Sequence, residues 1–71
     1  MTKNRAIKIP QKSRFYMREA ARVIQANVGI NESTALHRLY RGVRSGNVIV
    51  VRYLGVMMVE REELERIVKG D

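Results

Sequence analysis

The stretch Gly29-Ile-Asn-Glu-Ser-Thr-Ala-Leu-His-Arg-Leu-Tyr-Arg41 constrains this chain more than any other. Gly29 is a natural left-handed helix stop. Asn31 is a good N-cap, and Glu32 suits the first turn of the helix it opens. One helix must therefore end and a second begin within a few residues. The second carries Leu36, Leu39, Tyr40 and Val43 as the stripe to be buried. Thr34, His37, Arg38, Arg41 and, if the helix continues, Arg44 occupy the other side. Gly42 leaves that continuation open, because Gly inside a helix costs about 1 kcal/mol. A stop at Arg41 would leave residues 43–46 as a loop.

The preceding helix is expected from Met17. Met17, Ala20, Ala21, Ile24 and Val28 fall on one stripe at helical spacing, with Arg18, Arg22 and Gln25 opposite. Ile30 should fold back towards Ile24 past the Gly29 stop. Downstream, Ser45-Gly46-Asn47 signals a turn. Val48–Val51 is β-branched throughout and reads as a strand. Arg52–Gly55 would turn the chain and Val56–Val59 return it, although the tip lacks the Asn-Gly pair of the tightest hairpins. Glu60 to Lys69 reads as a last helix, acidic first and basic last, with Leu64, Ile67 and Val68 as its apolar face. Ahead of all this, Lys3, Arg5, Lys8, Lys12 and Arg14 have little to bury around them. Residues 1–14 read as a flexible basic arm leading into a short edge strand at Phe15-Tyr16, with a disordered tail the alternative.

The bulk numbers narrow the chemistry. Seventy-one residues make one small domain of marginal stability. With no Cys and a single His, disulfides, thiolate metal sites and a zinc site are not available. No apolar run approaches the roughly 20 residues of a membrane span, and no signal-peptide core follows the basic start, so a cytoplasmic location is expected. Nothing resembles a phosphate-binding Gly loop or a catalytic constellation, and no enzyme, metal or cofactor is expected. The net charge of +7 is unevenly placed. Eleven of the fourteen Lys and Arg precede residue 60, together with only Glu19 and Glu32, whereas the last helix is net acidic. A basic body attracts a polyanion and gains affinity by counterion release.

A helix presenting Thr34, His37, Arg38 and Arg41 suits a DNA major groove. An outward Arg can grip guanine O6 and N7, and Thr can touch a thymine methyl. His37 reads equally well as a plain surface residue. Arg18 and Arg22, four apart, would face a phosphate strand or simply solvent. Arg52 and Tyr53 at the hairpin tip could reach a minor groove or backbone, with a core position the alternative for Tyr53.

The chain resembles the excisionase-like small winged-helix proteins, relatives of the DNA-binding part of MerR-type regulators. The resemblance rests on Glu19-Ala20-Ala21, Gly29-Ile30-Asn31-Glu32-Ser33-Thr34, Arg44-Ser45-Gly46, Gly55 and Arg61-Glu62-Glu63-Leu64-Glu65, in that order. It covers about residues 15–69. The first helix is longer than in the family by about one turn, and four extra residues lie between Thr34 and Gly46. Tyr16 stands where the family caps its first helix with Thr, and Val56-Met57-Met58 replace the usual basic residues after the wing glycine.

The resemblance implies an α+β fold over residues 15–71: a helix-turn-helix, a two-stranded wing and a C-terminal helix. It implies a base-reading helix of Ser33, Thr34, His37, Arg38 and Arg41, and a wing from Arg52 to Gly55. Independently of the resemblance, the basic residues of the arm and first helix, Lys12, Arg14, Arg18 and Arg22, are expected to make DNA backbone contacts. The role implied is a DNA-bending factor of a phage or mobile element that binds attachment-site DNA and directs an integrase towards excision. A small transcriptional regulator using the same surface is the alternative, and an RNA-binding or adaptor role stands third. The implied partners are double-stranded DNA in the bacterial nucleoid, further copies of the chain bound cooperatively, and an integrase.

Overall fold

The computed structural model describes residues 8–70. In chain order the elements are β1 (Arg14–Tyr16), α1 (Met17–Val28), α2 (Glu32–Ser45), β2 (Val51–Tyr53), β3 (Val56–Glu60) and α3 (Arg61–Lys69). The described residues thus form a small α+β unit of three helices and one three-stranded antiparallel sheet, in the order β1-β3-β2. Phe15 lies opposite Val59 and Tyr16 opposite Met58; on the other side of β3, Tyr53 lies opposite Val56. The hairpin therefore gains a third strand from the segment just before α1, and β1 is an edge strand as the sequence suggests.

Alternation sends Phe15 and Val59 to the inner face, where both are buried with Leu64 of α3 and with α1. The α1–α2 packing rests on small residues. Ala20, Ala21 and Ala35 are fully buried, alongside Met17, Val23, Ile24 and Leu39. Small side chains let two helices approach closely. Two residues expected in the core are outside it: Val28 and Tyr40 are each 44% exposed. Val23 and Ala35 take their places, so the buried stripe of α2 runs through Ala35 and Leu39, with Leu36 and Val43 half-buried at its side.

Both helix starts follow local chemistry. The Asn31 side chain accepts from the Thr34 N–H at 2.8 Å. At α1 the Glu19 carboxylate reaches back to accept the Tyr16 N–H at 3.0 Å, so the first turn is closed without the Thr cap. Helix α2 does not stop at Gly42. A Cβ there would overlap the Val48 Cγ2 methyl and lie 3.2 Å from Val48 Cβ, so the glycine admits the returning chain. The Gly42 carbonyl accepts from the N–H groups of Asn47 and Val48 at 2.8 and 3.0 Å.

That return also displaces the strand. Residues 48–50 are not paired in the sheet, and β2 begins only at Val51. The Ile49 N–H donates to Glu63 at 2.9 Å and the Asn47 carbonyl accepts from Arg66 at 2.8 Å, so side chains of α3 satisfy the backbone instead of a partner strand. Arg52 and Tyr53 consequently lie within β2, and the turn is Leu54-Gly55 alone. Their φ values of 53° and 81° are the paired positive values of a two-residue hairpin turn.

Of the expected arm, residues 1–7 lie outside the described residues. Residues 8–13 lie against the body. Asn27 Oδ1 accepts the Lys8 N–H and Asn27 Nδ2 donates to the Lys8 carbonyl, both at 2.8 Å. The Arg61 guanidinium donates to the carbonyls of Pro10 and Lys12, and the Arg61 N–H donates to Ser13 at 2.9 Å.

Candidate nucleic-acid interface

With Ala35 and Leu39 turned inward, the centre of the solvent face of α2 falls on Ser33, His37, Arg41 and Arg44, spaced four and three apart. All four are exposed. The continuation of the helix through Gly42 is what places Arg44 on this stripe. Tyr40, expected in the core, flanks it. Thr34 is half-buried at the first turn. Arg38 is exposed on the opposite flank, beside a depression of Ile24, Val28, Ile30 and Val48. Arg38 and Arg41 also share a shallow open depression with Ser45 and Asn47, where a hydroxyl and an amide accompany two guanidinium groups.

The charge pairing of the surface is selective. Lys12 pairs with Glu19 at 2.7 Å, Arg14 with Glu60 at 3.9 Å, and Arg22 with Glu32 at 3.5 Å across the α1–α2 junction. Arg61 pairs with Glu65 and Arg66 with Glu63 within α3. Among the described residues, no carboxylate lies within 4 Å of Arg18, Arg38, Arg41, Arg44 or Arg52. A paired cation has its field largely cancelled at a distance, whereas an unpaired one keeps it. Three of these five unpaired guanidinium groups sit on α2.

The proposed backbone contacts divide accordingly. Arg18 is exposed and unpaired on α1, whereas Lys12, Arg14 and Arg22 are engaged with carboxylates. The Lys12 ammonium lies 5.5 Å from the Phe15 ring centre and the Arg14 guanidinium 5.2 Å from that of Tyr53. In the hairpin, Tyr53 is 56% exposed rather than core, on the outer sheet face with Tyr16, Val56 and Met58. Arg52 is exposed and aligned with Met57 on the inner face.

Two carboxylates are shifted. Arg66, by hydrogen bonding, holds Glu63 below its ordinary value, and the Ile49 N–H adds to this against a cost of burial. Glu19 is likewise lowered by Lys12 and the Tyr16 N–H. The acidic look of α3 is thus mostly internal pairing, and Glu62 is the one glutamate among the described residues without a cation within 4 Å. No group of three or more metal-ligating side chains occurs among the described residues, and no helix there is long and apolar enough to cross a membrane.

Comparison with family models, with curated proteins and with solved structures finds no match to this chain.

Proposed function

We propose that the protein is a double-stranded DNA-binding factor of winged helix-turn-helix type that lays the solvent face of α2 in a major groove. The carrying observation is the concentration of unneutralised guanidinium groups, Arg38, Arg41 and Arg44, on one helix whose opposite face is sealed into the core. Arg41 is at the centre of the face and has Arg38, Ser45 and Asn47 beside it, a set able to meet guanine edges and flanking phosphates together. His37, Ser33 and Thr34 complete the first turns. Arg18 neutralises a neighbouring phosphate strand and Arg52 does so from the hairpin. The order β1-α1-α2-β2-β3-α3 supports the winged-helix reading, because it sets a hairpin directly after the second helix of a helix-turn-helix pair.

The finer role, an architectural factor for excision, rests on the sequence resemblance. One reading helix covers too few base pairs for useful specificity alone, so the domain acts with neighbouring copies or an integrase. The test is titration of labelled duplexes of mixed sequence, DNA against RNA of the same sequence, at several salt concentrations. Preferential binding to the DNA duplex with strong salt dependence is expected. Equal or tighter binding to RNA would replace the reading with an RNA-binding one.

A further inference from the structure

The turn Leu54-Gly55 has an unexpected first residue. Leu54 stands at φ 53°, the left-handed region, and is the one non-glycine residue with positive φ among the described residues. Such a turn favours Asn or Asp at this position, where a short polar side chain tolerates the conformation. A branched apolar side chain is disfavoured there by backbone sterics. It is disfavoured again by solvent, since Leu54 is 93% exposed at the tip of the hairpin. Neither local folding nor core packing accounts for leucine here. A strained residue kept in the open is a reason to look for a ligand.

The surroundings select the ligand. Residues 51–59 contain no carboxylate. Arg52 is exposed and unpaired, and the Arg14 guanidinium stacks on Tyr53, the residue next to Leu54. An apolar point with the unpaired Arg52 beside it matches duplex DNA: the cation meets a phosphate while the point enters between bases. Leucine is among the side chains that proteins insert at base steps from the minor groove, unstacking the step and kinking the duplex. Resting on the DNA-binding reading of α2, we propose that Leu54 is such a wedge, inserted at a flexible pyrimidine–purine step beside the segment that α2 reads. The chain would then bend DNA itself, through one side chain on a rigid two-residue turn.

The experiment uses the full chain and a mixed-sequence DNA duplex, with 2-aminopurine at TA and CA steps and a fluorophore pair at its ends. Pyrimidine–purine steps are the ones most easily unstacked. The native chain should raise 2-aminopurine emission and bring the ends closer. Leu54→Asn and Leu54→Gly, which suit the turn better, should lose both signals while still binding and while unfolding no earlier than the native chain. Leu54→Met should keep both. Native binding without a rise in emission, or a rise that survives Leu54→Asn, overturns the wedge and leaves the α2 reading standing. Native failure to bind duplex DNA overturns both. If Leu54→Asn instead abolishes self-association in sedimentation and leaves the DNA signals intact, the tip is a protein contact and the wedge is wrong.

Discussion

Gly42→Ala separates what helix propensity dictates from what this fold requires. Within an isolated helix the change should stabilise by about 1 kcal/mol. Here the new Cβ would overlap Val48 Cγ2 and crowd Val48 Cβ at 3.2 Å, and Val48 is held by its N–H bond to the Gly42 carbonyl. Overpacking of this kind costs about 1–3 kcal/mol. The balance is a net loss of about 1 kcal/mol, or a fall in Tm of roughly 4–8 °C for a domain of this size. Thermal denaturation followed by circular dichroism reads it. The decisive arm is the Val48→Ala background, which removes the overlapping methyl and leaves only the 3.2 Å contact with Cβ: there the same Gly42→Ala change should lower Tm by less than in the native background. A rise in the native background, or an equal fall in both, would refute the close-approach account of Gly42.

Other outcomes follow from the core and the ion pairs. Leu39→Ala, at a fully buried site, should cost about 2–5 kcal/mol, a large share of the stability of so small a domain, and chemical denaturation would show it as a lower midpoint. Glu63 and Glu19 are both held below their ordinary value of 4.5, so their contribution is complete above that pH and disappears as pH falls through the lowered folded values. Tm should therefore drop as pH is taken from 5 to 3, and Glu63→Gln should shrink that drop; an unchanged profile would remove the Glu63 linkage. Asn27→Ala should release the Lys8 end of residues 8–13 from α1, seen as faster exchange of the Lys8 amide with α1 itself still protected.

The parts of the fold legible in the sequence are those governed by local chemistry. Gly29 and Asn31 fix the α1–α2 junction, and Met17 and Lys69 bound the first and last helices as their periodicity and charge suggest. Errors arise where tertiary contacts decide. A pattern of large apolar residues favours Leu36 and Tyr40 as the inner stripe, but close helix packing selects the small Ala35, which rotates α2 and turns Tyr40 outward. Val48–Val50 has strand composition, yet Gly42 and Glu63 capture its backbone first, so Arg52 and Tyr53 move from the turn into β2. Which cations of the candidate interface stand free of carboxylates was not legible in the sequence. Arg18, Arg22 and Arg38 look alike in sequence; only the fold brings Glu32 to Arg22 and leaves the cations of α2 unpaired.

The most direct test of the central claim is the salt dependence of duplex DNA affinity for the native chain, Arg41→Ala/Arg44→Ala and Lys69→Ala. Each phosphate contact contributes about 0.9 to the slope of log affinity against log salt. Lys69 is exposed at the far end of α3 and serves as a charge-matched reference for a single cation. If α2 is the DNA-facing element, the double variant should bind mixed-sequence duplex more weakly, with a slope shallower by up to about 2, while Lys69→Ala follows the native line. A double variant that keeps the native slope and affinity, or a loss matched by Lys69→Ala, would contradict the account.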